Sequence, residues 1–310
     1  MIGTVEWNAM IPQAELDQFF EELVTAVRAK GGICAITSVQ YGIAQSTKDC
    51  DLLCAADSAR QLLGVLRASP LRSVSCSYRG HVTPPLDRRW LQGGWTSHFN
   101  WDLEDTGAYL DVFSVAPRAS SEWMTEGAAA LTGMHTVAEM KRTDRPKDWP
   151  FATALGVKLL EQGDPRGWLH IFDVATLREV FTRVSLPDEL IVQRPCLALL
   201  RDDDLRLELA VFGETVFWQT LDRLRVQVYQ TAVRRYYAAV RKDPEAGVPD
   251  LDRQHETRVR HAEQLLPTSP LRDYGLDRLI ADARSKAGGL VAAGALDWLP
   301  DASRHFVGLQ

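Results

Sequence analysis

The chain has 310 residues, 45% hydrophobic and 25% charged, an ordinary composition for a folded protein with enough chain for one large domain or two smaller ones. Its net charge of −6 gives the whole surface no attraction for nucleic acid, which leaves only a local basic groove for that purpose. Five cysteines, an odd number without C-x-x-C spacing, fit free thiols in a reducing compartment and disfavour a structural zinc site or a disulfide framework. The start, "MIGTVEWNAMIPQAELDQFF", has neither the basic region nor the apolar core of a signal peptide. The most apolar late stretch, "AGGLVAAGALDWL", is too short to span a bilayer, so a cytoplasmic protein without membrane contact is expected.

In chain order, residues 13–29 place Leu16, Phe19, Phe20, Leu23, Val24 and Val27 at helical spacing, and Gly31 and Gly32 stop that helix. "ICAITS" and "DCDLLCA" read as short strands, and "SARQLLGVLRA" returns to helical periodicity. "SVSCSY", "SHFNWDL" and "AYLDVFSV" read as three further strands, with "HVTPPLDRRWLQGG" as a long loop between the first two. A mixed α/β layer (α+β), one sheet covered by helices, is therefore expected for residues 1–118. Beyond, "SEWMTEGAAALTGMHTVAEMKR", "FATALGVKLLEQ", "VATLREVFTRV" and the stretch from Leu205 to Lys242 are helical in pattern. "LDRQHETRVRHAEQLL" and "LDRLIADARSKAG" follow, so residues 119–310 are read as an all-helical domain closing over the first.

The segment with the most chemical content is "TSVQYGIAQSTKDCDLL", residues 37–53. Asp49 and Asp51 lie two apart, so on a strand both carboxylates point to one face. Like charges that close raise each other's pKa, and a divalent cation is the usual relief. D-x-D alone is a cheap pattern: Asp202–Asp204 and Asp250–Asp252 repeat it among surface charges and are assigned nothing. What distinguishes the first pair is an apolar strand before it, "LLCA" after it, and Ser38 and Gly42 at fixed offsets.

Ser38, Gly42 four residues later, and Asp49-x-Asp51 seven residues after the glycine resemble the signature of the polymerase-β-like nucleotidyltransferase superfamily. The departures are Thr37 for the usual glycine, and Tyr41 and Lys48 where arginine and serine are common. The resemblance spans about the first third of the chain. It implies a mixed sheet with covering helices, a nucleoside triphosphate donor such as ATP, and Mg²⁺ (or Mn²⁺) held by Asp49, Asp51 and a third carboxylate on a later strand. Asp111, embedded in "YLDVFSV", is the candidate for that third ligand, ahead of Asp102, Glu104 and Asp105. Thr37, Ser38, Gly42 and Lys48 are the implied surroundings of the triphosphate, and the three aspartates the catalytic group.

A second stretch, "MKRTDRPKDWP", residues 140–150, resembles a K…R-x-K-D pattern in nucleotidyltransferases of abortive-infection and toxin–antitoxin systems. That likeness implies that Lys141 and Arg145 face the nucleotide phosphates from the helical side. The bland alternative is that Asp148 caps the helix begun by Trp149-Pro150 while the basic residues stay solvated. Between Asp222 and Lys242, Arg223, Arg225, Arg234, Arg235, Arg241 and Lys242 interleave with Tyr229, Tyr236 and Tyr237, a pattern read first as the wet face of an amphipathic helix. Trp95, Trp101 and Trp168 are expected in the core, and His98 is expected to be a hydrogen-bonded structural histidine.

No P-loop, G-x-G-x-x-G, H-E-x-x-H or G-x-S-x-G motif is present, which disfavours P-loop ATPases, Rossmann dehydrogenases, zinc proteases and serine hydrolases. The leading expectation is transfer of an NMP from an NTP to a hydroxyl, with pyrophosphate released. The acceptor, whether a small molecule, an RNA end or a protein side chain, is open. The alternatives are a catalytically silent relative that binds a nucleotide or a partner, and the toxin component of a toxin–antitoxin or defence pair with a cognate antitoxin.

Overall fold

The computed structural model describes residues 11–37, 41, 49–103, 106–126, 130–202 and 204–309. Helix α1 (Gln13–Ala29) buries Leu16, Phe20, Leu23, Val24 and Val27 along one stripe and ends at Gly31, whose φ of 76° suits the turn. Strands β1 (Cys34–Ile36) and β2 (Asp49–Cys54) pair antiparallel, with Cys34 opposite Cys54. Helix α2 (Ala59–Arg67), β3 (Ser77–Tyr78), the short helix α3 (Arg88–Leu91), β4 (Ser97–Leu103) and β5 (Thr106–Phe113) follow. The sheet order is β1-β2-β5-β4-β3, with β2 and β5 parallel and all other pairs antiparallel.

Period-2 alternation divides this sheet into two chemically distinct faces. Cys50, Leu52, Leu110, Val112, Phe99 and Trp101 point into the core shared with α1 and α2. Trp101 is fully buried, meets Phe19 and Phe20 edge-on at 5.0 and 6.2 Å, and donates its indole N–H to the Ser69 carbonyl at 3.0 Å. The opposite face carries Asp49, Asp51, Tyr109, Asp111, His98 and Asn100, in cross-strand register. Beyond this row the second face is apolar, where Leu53 and Phe113 pack with Ala35 and Trp123, so a polar site on this sheet lies at the row itself.

Helices after the sheet run from α4 (Met134–Met140) and α5 (Asp148–Glu161) through α6 (Val174–Phe181) and α7 (Asp188–Gln193) to the 27-residue α8 (Arg206–Ala232). Then come α9 (Arg234–Lys242), α10 (Leu251–Leu265), α11 (Pro270–Tyr274) and α12 (Leu276–Gly288). Among the described residues after Phe113, strand-like pairing is limited to one isolated bridge, Leu131 beside Ile36. Helix α10 returns to the sheet: Leu251 joins its core, and Gln254 Oε1 accepts from the Tyr78 N–H at 2.8 Å, covering the β3 edge. Trp95 and Trp168 are buried as expected.

Two expectations need adjustment. The continuous helical pattern read over residues 121–142 is broken: a 3₁₀ turn (Trp123–Glu126) and α4 are separate, because Ala130 and Thr132 spend backbone hydrogen bonds on Ile36 instead of on a helix. The long loop before β4 contains α3, capped by Asp87 and anchored by buried Trp90 and Leu91. Among the described residues no helix is long and apolar enough to cross a membrane.

Candidate functional site

Register brings the three aspartates together. Asp51 is the direct partner of Asp111 across the parallel β2–β5 pair, and Asp49 is the partner of Tyr109 one pleat away. All three line a cavity of about 460 Å³, whose lining also carries Arg118, Lys141, Arg145, Lys147 and Arg225 together with Asp144, Asp148 and Asp222. Asp49 is exposed, while Asp51 and Asp111 are half-buried.

The electrostatics of Asp51 report this neighbourhood. Burial pushes its carboxyl up to about 6 from an ordinary 3.8; Asp111 and Asp49 push the same way, and Lys141 and Arg145 pull against them. One group thus senses both halves of the predicted constellation. The two aspartates add to a rise that burial leads and Lys141 opposes, and a cation bound beside Asp51 would favour its ionised form.

Asp111 is not alone on its face. Its Oδ1 accepts from Arg79 Nη2 at 2.6 Å and lies 2.7 Å from His98 Nδ1, which is itself 3.1 Å from Arg79 Nη2. His98 is the register partner of Asp111 on β4, and Arg79, the residue after β3, donates its N–H to the His98 carbonyl at 2.9 Å. Asp51, Asp111 and His98 therefore form one polar row across three strands, which Arg79 continues. The guanidinium of Arg79 also sits 5.1 Å from the centre of the Tyr109 ring. The structural role expected of His98 is what its bond to Asp111 provides.

The donor set suits Mg²⁺ in kind, since hard oxygens at a cluster of negative charge are its preferred surroundings. It does not suit a three-carboxylate cage: among the described residues no three His, Cys, Asp or Glu side chains are spaced to hold one ion. Asp49 and Asp51, completed by phosphate oxygens and water, are the residues that would hold it.

The other predicted residues are distributed as follows. Thr37 is buried at the cavity wall, and its N–H and hydroxyl both donate to the Asp51 carbonyl, at 2.8 and 3.2 Å, so its side chain braces β2. Ser38, Gly42 and Lys48 lie outside the described residues. Tyr41 donates its hydroxyl to the Thr132 carbonyl, and its own carbonyl accepts from Lys158 on α5. Lys141 sits at the C-terminal end of α4, 5.4 Å from the centre of the Phe151 ring. Arg145 is bound to Asp148 Oδ2, Nε at 2.8 Å, and the same oxygen accepts the Thr143 hydroxyl at 2.6 Å. Asp148 thus organises the 143–145 turn; it is the first residue of α5, not its cap.

Arg118, Asp222 and Arg225 form a further group in the lining, of which the sequence pattern marks only Arg225. Arg118, with a φ of 62°, is 3% exposed and donates to Asp222 and to the Met140 carbonyl. Arg225 binds the same Asp222 oxygen at 3.0 Å, and the Asp144 N–H donates to the other at 3.1 Å. Arg225 belongs to the basic run noted above; its companions Arg223, Arg234, Arg235, Arg241 and Lys242 are exposed, as a wet helix face requires. The two unassigned D-x-D pairs are surface features: Asp250 caps α10 and Asp204 pairs with Arg206.

Comparison with protein-family models, with curated proteins and with solved structures gives no match to this chain.

Proposed function

We propose that the chain is an Mg²⁺-dependent nucleotidyltransferase of the polymerase-β-like kind, moving an NMP from an NTP to a hydroxyl acceptor. The observation that carries this reading is that Asp49, Asp51 and Asp111 line one cavity with Lys141 and Arg145, both close enough for Asp51 to feel their charge. A volume near 460 Å³ falls in the range of small-molecule sites, about 300–1,000 Å³, and is adequate for a nucleotide. Nucleotidyl transfer needs negative groups to hold the metal and positive groups to hold the phosphates, and this lining contains both. When bound, Mg²⁺ polarises the α-phosphoryl group and lowers the barrier for the attacking hydroxyl.

In this reading Asp49 and Asp51 hold the ion, and Lys141 with Arg118 and Arg225 offsets triphosphate charge. Asp111, oriented by Arg79 and His98, keeps its carboxylate beside the acceptor, where it takes the hydroxyl proton. The hydroxyl oxygen bonds to the α-phosphorus as the bond to the departing pyrophosphate breaks. Incubation with each α-labelled NTP, Mg²⁺ and an acceptor panel of tRNA, hydroxylated metabolites and the protein itself tests this. Label transfer abolished by Asp49→Asn and by Asp51→Asn is expected; transfer that survives both substitutions removes these carboxylates from the chemistry.

A second reading, a nucleotide- or partner-binding relative without turnover, is favoured by one observation: Arg79 and His98 already occupy Asp111 Oδ1. Nucleotide binding with no label transfer to any acceptor would select it. A toxin role for the same site predicts growth arrest on expression, relieved by Asp51→Asn.

A further inference from the structure

Lys141 and Arg142 are adjacent in sequence yet open into different cavities. Arg142 lines a second space of about 260 Å³ together with Arg194, Glu214, Arg304 and His305. Arg142 and Arg194 are 3% and 2% exposed, unusual for arginine, and each is only partly satisfied by protein. Arg194 donates from Nε to Glu214 Oε2 at 2.8 Å, and from Nη1 to the carbonyls of Trp168 and Ile171 at 3.0 and 2.7 Å. Its Nη2 has no partner among the described residues. Arg142 uses Nη1 on His305 Nδ1 at 3.1 Å and Nη2 on the Leu169 carbonyl at 3.3 Å, while its Nε has no partner either.

The acceptors lining this space are already engaged. Glu214 Oε2 takes the Cys196 thiol at 3.4 Å besides Arg194, and Oε1 takes the Trp218 indole at 3.3 Å. Asp301 spends Oδ1 on Ser303 and Oδ2 on Arg304. Glu139, outside the lining, takes the Ser120 N–H at 2.9 Å on Oε2 and faces His305 Nδ1 at 3.3 Å with Oε1. Among the residues that line the space the groups left over are guanidinium N–H, while behind the lining Glu139 Oε1 has no hydrogen-bond partner among the described residues; a buried donor left unpaired is costly. An occupant must therefore bring acceptors, which excludes a cation or an amine.

We propose that this cavity is a binding site for a small oxyanion, a carboxylate or a phosphate, gripped by Arg194 Nη2 and Arg142 Nε with Arg304 at its mouth. Guanidinium groups match such oxygens in geometry as well as charge. Burial works against the charge on Arg142, Glu139 and Glu214 support it and Arg194 opposes it, so a compact anion would add to a support that is incomplete. The volume is smaller than that of usual drug-sized sites, about 300–1,000 Å³, so the ligand is a compact anion and not a nucleoside triphosphate. The site is separate from the carboxylate cavity and independent of what binds there.

Calorimetric titration of the full chain with inorganic phosphate, sulfate and acetate, at constant ionic strength, tests the assignment. Saturable millimolar binding of at least one probe is expected, and phosphate against acetate distinguishes the two ligand chemistries. Arg194→Lys should abolish it, and Arg304→Glu, at an exposed side chain that the fold does not need, should weaken it at least tenfold. If Arg194→Lys fails to fold, Arg304→Glu decides. No saturable binding of any probe, meaning that the space holds only water, overturns the proposal; so does binding that Arg304→Glu leaves unchanged.

Discussion

Replacing Asp51 by Asn should stabilise the metal-free protein, and by an amount that depends on pH in a defined way. The carboxyl titrates near pH 6 in the folded chain against 3.8 for an ordinary aspartate, chiefly through burial and the charges of Asp111 and Asp49. A raised folded-state pKa means that the native state binds the proton more tightly than the unfolded chain. The associated stability is present below about pH 4 and is lost as pH rises through 6. At 1.36 kcal/mol per pH unit, the loss by neutral pH is at most about 3 kcal/mol, and water entering the cavity mouth screens it towards about 1 kcal/mol. Asn imitates the neutral acid and suffers no such loss. Urea unfolding of wild type and Asp51→Asn in EDTA, from pH 4 to pH 8, should give matching midpoints at the acid end. A gap in favour of the variant should open between pH 4 and 7. A difference that is absent or flat across this range would refute the claim that Asp51 is buried among like charges.

Two further outcomes follow from the cavity wall. Lys141→Met removes a charge that pulls the Asp51 pKa down, so that pKa should move above about 6 in an NMR titration of the side-chain carboxyls. The same change should weaken triphosphate binding by about 1.5–3 kcal/mol, the range for a hydrogen bond to a charged group, read by calorimetry. Arg118→Met leaves Asp222 buried with only Arg225 and the Asp144 N–H, and should cost about 2–4 kcal/mol in denaturant unfolding, somewhat less than a fully orphaned buried charge.

Much of the scaffold was readable from periodicity. The stripe Leu16–Phe20–Leu23–Val24–Val27 delimits α1 as Gln13–Ala29, and alternation delimits β4 as Ser97–Leu103. Asp49 and Asp51 share a face because a pleat has period two, which any strand assignment implies. Their alignment with Asp111 depends on the parallel β2–β5 register, a pairing that no local pattern encodes. The bonds of Arg79 and His98 to Asp111, and of Arg118 to an aspartate 104 positions away, are tertiary facts of the same kind. Arg142 and Arg194 were overlooked for another reason: arginine is usually solvated, so its burial in a helical layer leaves no mark in the sequence. The helical pattern over residues 121–142 does not become one helix because backbone pairing with Ile36 outweighs propensity there.

Thermal unfolding with ATP, GTP, CTP and UTP, each with and without Mg²⁺, tests the central claim of a metal-dependent nucleotide site. A ligand at a hundred times its Kd adds about 2.7 kcal/mol, a shift of several degrees. The account predicts such a shift for at least one nucleotide, dependent on Mg²⁺ and lost in Asp51→Asn. No shift with any nucleotide, or a shift that Asp51→Asn leaves intact, would contradict it.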